Sequence, residues 1–566
     1  MIPDDALDRR GLLQSLAALG IGGAVFQRAA AANAADPPAK VDLKAVTAAM
    51  VEQAEWVAGV TLTDAERKDV ARTLTRELAG RAAAEQVKLP NAVPPAFHFQ
   101  PGPAPPVVVA NGPVVSVDEV IKPGPKSEGD DLAFAGVAAL GRMIRAKQVS
   151  SVELTKLALA RLRKYDPALL CVVSFTEEIA LKQAKQADED LAAGNYHGPL
   201  HGLPWGAKDL ISYPGTKTTF GAGHYKDQTL DAKAAVADRL DRAGCVLTAK
   251  LTLGALALGD KWFGGMTRNP WNVTQGSSGS SAGPAAAVVA GLVPFAIGSE
   301  TLGSIVSPST RCGATGLRPT FGRVSRAGCM TLAWTMDKVG PMARSVEDCA
   351  LVFAAIHGAD PADAAAVSRP FAWPSPRPLK EMRVGYVEGK KSVDERAELK
   401  VLKLLGVKLV PIKLPAQYPQ SAMSCILDAE CAAAFDDITR EGVTEGIGPW
   451  RGTFLRGRFT TAVDYIRANR VRTLVMRAMN EVMAGVDLYV GGNDLFLTNM
   501  TGHPTVCLPN GFRKDGDSEV PTALTFTGRL YGEAELLAVA HAYQVETGHH
   551  RRRPPMDKVT KENAGL

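Results

Sequence analysis

The sequence predicts an α/β protein with an N-terminal helical extension, on three observations. Short β-like runs such as Cys171-Val172-Val173 alternate with alanine-rich helical stretches, the texture of a sheet covered by helices. Two S/T-x-x-E boxes, Thr63 to Glu66 and Ser150 to Glu153, each open a run of apolar residues at helical spacing. From Asp131 to about Arg553 nothing linker-like interrupts the pattern. The 566 residues would divide into three or four domains at about 150 residues each. The unbroken stretch argues instead for one large unit.

The elements follow in order. Residues 1–35 hold Arg9-Arg10, a moderately apolar stretch to Phe26, and Ala32-Asn33-Ala34, a small-x-small cleavage pattern. They resemble a twin-arginine export signal, so a periplasmic or extracellular location is expected, or a cytoplasmic one where the leader is not cleaved. Residues 36–89 read as helices: in the box, the Thr63 hydroxyl accepts from the Glu66 N–H, and Val70, Leu74 and Leu78 then line one face. Residues 90–130 contain ten prolines up to Pro125 and read as an extended linker or strap. At Asp131 the texture changes. Leu132, Val137, Leu140 and Ile144 mark an amphipathic helix, and Ser150 opens another through Leu162. Residues 131–553 form the main α/β unit, and 554–566 a C-terminal tail.

Composition narrows the function classes. Apolar residues are 46% and charged residues 22%, as in an ordinary globular protein, and no run of 18 apolar residues predicts a membrane span. A net charge of +5 is weak for this length, and Arg551-Arg552-Arg553 reads as a solvated tail, so no nucleic-acid partner is expected. The eight cysteines (171, 245, 312, 329, 349, 425, 431 and 507) form no C-x-x-C pair and read as buried small hydrophobes. Folding in a reducing cytoplasm before export would leave them free. No H-E-x-x-H is present, and no metal or cofactor is expected.

The most unusual segment is Gln275-Gly276-Ser277-Ser278-Gly279-Ser280-Ser281-Ala282-Gly283, followed at once by an apolar run from Ala285 to Ala290. A flexible linker is not normally followed so, and the segment reads as a tight loop feeding a buried helix. Gly279-Ser280-Ser281-Ala282-Gly283 matches G-x-S-x-G, which would make Ser281 the nucleophile of an α/β-hydrolase-type esterase. That elbow needs a hydrophobic strand before it, and Pro270 to Gly276 is turn-like.

A second reading covers more of the chain. Gly198-Pro199-Leu200-His201-Gly202-Leu203-Pro204-Trp205-Gly206-Ala207-Lys208-Asp209-Leu210 precedes the serine loop. Gly298-Ser299-Glu300-Thr301-Leu302-Gly303-Ser304-Ile305 and Gly316-Leu317-Arg318-Pro319-Thr320-Phe321-Gly322-Arg323 follow it, with Thr498 to Pro504 near the end. In this order the motifs resemble the amidase signature family. The resemblance implies a single large domain with a central mixed, twisted β-sheet covered by helices on both faces. It also implies hydrolysis of a non-peptide carboxamide by a Ser–cis-Ser–Lys triad, with ester or carbamate cleavage as a side activity.

Carried onto this chain, the resemblance makes Ser304 the nucleophile, Lys208 the base, and Ser280 the relay after a cis Gly279–Ser280 bond. The chemistry is coherent: lysine is a base only when neutral, which burial favours, and a hydroxyl can donate and accept at once. The N–H groups of Thr301, Leu302, Gly303 and Ser304 become the oxyanion hole. Gly279 and Ser281 take supporting roles, while His503 and Asp209 read as structural. Trp205, Trp262, Phe263 and Met266 are the candidate substrate pocket. Four places depart from the family: Leu302 where glycine is common, Glu300 where aspartate is frequent, Val306 where arginine often stands, and Ala282-Gly283-Pro284 where the family has Gly-Gly-Ser. The expected partner is a small-molecule amide, and a homodimer is left open. The alternative is the glutamine amidase subunit of a tRNA-dependent amidotransferase.

Overall fold

The computed structural model describes residues 45–87, 97, 130–389, 392–491 and 494–566. The leader expected over 1–35 and nearly all of the proline-rich strap lie outside these residues.

Among the described residues there are fifteen strands: β1 Val172–Phe175, β2 Pro204–Lys208, β3 Val246–Leu251, β4 Lys261–Trp262, β5 Gly265–Met266, β6 Arg268–Asn269, β7 Asn272–Gly276, β8 Phe295–Glu300, β9 Thr315–Arg318, β10 Lys338–Ala343, β11 Arg383–Val387, β12 Lys408–Ile412, β13 Leu488–Val490, β14 Thr505–Asp515 and β15 Ser518–Gly528. Eleven of them build one sheet in the order β1-β3-β2-β8-β10-β9-β14-β15-β13-β11-β12. It is mixed: β2 runs parallel to β3 and β8, β11 parallel to β12 and β13, and the remaining pairs are antiparallel. Strands β2, β3 and β10 are buried along their whole length, as strands covered on both faces must be. The mixed sheet flanked by helices agrees with the expected fold. β4 with β5 and β6 with β7 form two short ribbons outside it.

The N-terminal helices run Ala48–Ala58 and Asp64–Gln86. The Thr63 box forms as expected: Thr63 Oγ1 accepts from Glu66 N–H and the Glu66 carboxylate accepts from Thr63 N–H at 2.8 Å. Val70 and Leu74 pack with Val51, Leu62 and Leu455, joining this pair to the helix Trp450–Gly457. Charge closes the seam. Arg451 pairs with Glu66, and Arg456 bridges Glu77 at 2.6 Å and Asp428 at 2.7 Å. Burial and the neighbouring Asp428 carboxylate push the Glu77 carboxyl up to about 8, against the pull of Arg456 and Arg81. The folded chain then holds a proton that the unfolded chain releases near pH 4.3, so docking should weaken as pH rises from about 4.5 to 8. Hydrogen exchange over 64–86 should show this pH dependence in the native protein and a flatter profile in Glu77→Gln.

The helix expected from Leu132 splits into Asp130–Ala133 and Val137–Arg145, because Gly136 caps the second piece. The Ser150 helix runs on to Leu169, past Leu162. Residues 554–566 are not a loose tail. Val559 and Ala564 are buried in a cluster with Leu162, Val288 and Val520. The arginine run is partnered: Arg552 pairs with Glu519 at 2.7 Å and Arg553 with Asp131 at 2.9 Å. All eight cysteines are free thiols, six of them buried. Among the described residues no helix is long and apolar enough to cross a membrane.

Candidate active site

Lys208 ends β2, between β3 and β8. Successive strand residues point to opposite faces, so Lys208 shares its face with Gly206 while Trp205 and Ala207 face the other way. That register corrects one pocket expectation. Trp205 is 0% exposed, stacks on Phe295 at 6.4 Å and belongs to the core.

The Lys208 amine is fully buried and ringed by hydroxyls. Nζ lies 2.8 Å from Ser280 Oγ, 3.1 Å from Ser281 Oγ, 2.9 Å from Ser299 Oγ and 3.3 Å from the Ser299 carbonyl. Burial pulls its pKa down to about 7, opposed by the carboxylates of Asp337 and Glu300. A large neutral fraction near pH 7 gives the nitrogen a lone pair that can take a proton.

The serine loop is shaped by close packing. The Gly279–Ser280 peptide is cis, and a Cβ on Gly279 would meet the Gly259 carbonyl at 1.9 Å. The Asp260 carboxylate accepts from Ser278 N–H at 2.9 Å. The loop feeds the helix Ala282–Val289, whose eight residues are all buried. Ser281 is used up structurally: its Oγ accepts from Ser299 N–H at 3.2 Å and donates to the Ser299 carbonyl at 3.1 Å. The strand before the loop, β7, lies in a two-stranded ribbon outside the central sheet. A nucleophile elbow needs a central strand there and an exposed hydroxyl, so the Ser281 esterase reading is set aside.

Ser304 is half-buried on the turn between β8 and the helix Val306–Cys312. It is tied to the serine loop through Ser281 N–H, which donates to the Ser304 carbonyl at 3.0 Å. Among the described residues no hydrogen bond joins the Ser280 and Ser304 hydroxyls. Glu300 shapes this turn. One carboxylate oxygen accepts from Ile305 N–H at 2.8 Å and Val306 N–H at 2.9 Å, the other from Arg318 at 2.7 Å and Asn499 at 2.9 Å. Burial would raise its pKa, but Arg318 and these bonds hold it down at about 2. Gly303 has φ +98°, in the left-handed region, which lets the chain reverse there. The N–H groups of Thr301, Leu302, Gly303 and Ser304 have no acceptor among the described residues, the disposition an oxyanion needs.

Of the remaining expected residues, Trp262, Phe263 and Met266 sit on the β4–β5 hairpin beside the serine loop. A Cβ on Gly276 would meet Asp260 Oδ2 at 2.1 Å and Met266 Sδ at 3.1 Å. His503 is buried against Thr501 at 2.8 Å, and burial lowers its pKa to about 3. Asp209 pairs with buried Lys250 at 2.9 Å and accepts from Thr219. Neither side chain is hydrogen-bonded to the Lys208 amine or the Ser280 hydroxyl. Sequence reasoning missed Ser299, Asp337 and the Glu300–Arg318–Asn499 set. Glu300 stood within a quoted motif yet drew notice only as a departure.

The Amidase family profile matches residues 153–492. The A subunit of glutamyl-tRNA(Gln) amidotransferase from Carboxydothermus hydrogenoformans is 30% identical over 75% of this chain and 100% of its own length. The protein of the same name from Chloroflexus aggregans is 33% identical over 76% of this chain and 100% of its own. Among solved structures, native peptide amidase from Stenotrophomonas maltophilia superposes with a TM-score of 0.65 at 29% identity, over 74% of this chain and 98% of its own. The chain belongs to the amidase family and is a hydrolase of carbon–nitrogen bonds.

Proposed function

We propose that this protein hydrolyses a carboxamide through an acyl-enzyme on Ser304, with Ser280 relaying protons to neutral Lys208. The observation that carries this is the buried amine 2.8 Å from Ser280, on a loop bonded to Ser304 through its backbone. Ser304 Oγ attacks the amide carbon, its proton passes to Ser280, and the Ser280 proton passes to Lys208. The oxyanion forms against the N–H groups of Leu302, Gly303 and Ser304. Collapse breaks the C–N bond, and the stored proton returns through Ser280 to the departing amine. Water then repeats the sequence on the ester carbon and frees the acid.

The relatives' names support a second reading for the same chemistry, as the glutamine amidase subunit of a tRNA-dependent amidotransferase with a protein partner. Against it stand two features. A quarter of this chain is unmatched in those relatives, which align over their full length. Arg9-Arg10 with Ala32-Asn33-Ala34 supports export, away from tRNA. A fluorophosphonate probe should label the peptide containing Ser304, and labelling at Ser281 would overturn the assignment. Ammonia release from glutamine only with a co-purified protein partner would favour the amidotransferase reading.

A further inference from the structure

We propose that the mouth of this site selects carboxamides carrying a bulky apolar group, an aryl or medium-chain alkyl substituent, over glutamine. The inference rests on the Ser304 chemistry above and names its substrate class. Four large apolar side chains are partly exposed on segments whose contacts tie them to the loops of the proposed reacting groups: Leu302 at 37% exposure, Trp334 at 49%, Leu258 at 45% and Phe263 at 44%. Single exposed hydrophobics are ordinary, but four on loops that converge at one site are not scatter.

Each is tied there by a contact. Leu302 is two residues from Ser304 on the same turn. Its neighbour Thr301 donates through its hydroxyl to Asp337 Oδ1 at 2.6 Å. The other oxygen of Asp337 accepts from Leu332 N–H at 2.8 Å and Ala333 N–H at 3.0 Å, closing the loop that presents Trp334 beside that turn. On the other side, Leu258 precedes Gly259, whose carbonyl packs against Gly279 of the cis peptide. Phe263 is at the tip of the β4–β5 hairpin, anchored by Phe263 N–H to the Gly221 carbonyl at 3.3 Å, and Asp260 at the hairpin's base holds Ser278.

Such a rim rewards apolar substrate surface taken from water. These four side chains offer no charged partner to the ammonium and carboxylate of glutamine, whose desolvation against them would go without charge compensation. Val306, buried where the family often carries arginine, adds no cation.

The experiment uses the full chain with hexanamide, benzamide, acetamide and L-glutamine. Wild-type kcat/KM should favour hexanamide over acetamide by roughly tenfold or more, the discrimination a few methylenes give in an apolar pocket. Glutamine should fall below acetamide. Trp334→Ala and Leu258→Ala should each lower the ratio of kcat/KM for hexanamide to that for acetamide by about tenfold, chiefly through a higher KM for hexanamide. Equal rates of fluorophosphonate labelling at Ser304 show that each variant is folded. Equal losses on hexanamide and acetamide, or a wild type faster on glutamine than on hexanamide, overturn the rim. An unlabelled Ser304 with no turnover of any amide overturns the hydrolytic reading beneath it.

Discussion

Lys208→Met should lower kcat by on the order of 10⁴-fold or more, as should Ser304→Ala, and the double variant should be no worse than either. Groups that act as one unit are lost together, because an unactivated Ser304 is as useless as an absent one. The pH profile carries the same test. The base is the neutral amine, so kcat/KM should rise with pH through about 7, where burial has placed Lys208, and level off above it. Lys208→Arg should be inactive across that range, since a guanidinium keeps its proton. A lysine serving only as a hydrogen-bond donor would give the opposite slope.

In Lys208→Met stability should rise where activity is lost. The unfolded chain protonates Lys208 up to pH of about 10.4, the folded chain only below about 7. Between those values the unfolded state binds more proton, so stability rises with pH, and the penalty is full below about 7. Methionine keeps the length of the side chain without the buried charge. Lys208→Met should therefore have a higher Tm than wild type at pH 6, by thermal denaturation, and a smaller advantage at pH 9.

What could be read in the sequence follows the range of its signals. The Thr63 and Ser150 boxes are local, four residues each, and both form as written. The serine loop betrayed itself by composition, since glycine and serine followed at once by an apolar run has few other meanings. Lys208 and Ser280 were found by ordered motifs, and the sheet brings them within 2.8 Å. Trp205 shows the limit. It was grouped with Trp262, Phe263 and Met266 as a pocket candidate, but its offset of three from Lys208 along a strand puts it on the opposite face, in the core. The Glu300–Arg318–Asn499 cluster was illegible for another reason. Its members are up to 199 residues apart and come from β8, β9 and the helix Leu495–Thr501, so no window of sequence holds them together.

That cluster makes the second large prediction. Glu300→Ala should destabilise the fold by about 3–5 kcal/mol, because it strands a buried guanidinium and leaves the Ile305 and Val306 N–H groups without an acceptor. It should also lower kcat by about 10²–10³-fold, since the turn that aims the Leu302, Gly303 and Ser304 N–H groups is built on that carboxylate. Two variants separate positioning from mere scaffolding. Adding Arg318→Met to Glu300→Ala removes the orphaned charge, so it should restore much of the stability and none of the rate. In Glu300→Gln the amide oxygen can still accept from Ile305 and Val306, so the rate should be largely kept. Its acid unfolding should change, however. The native carboxyl stays ionised to about pH 2 while the unfolded one titrates near 4.3, so its contribution, about 3 kcal/mol, is present above 4.3 and fades as pH falls towards 2. Glutamine has no such titration, and its stability curve over that interval should be flatter than that of wild type. Equal rate loss in Glu300→Gln and Glu300→Ala would mean that the negative charge itself, rather than the shape it imposes on the turn, matters for turnover.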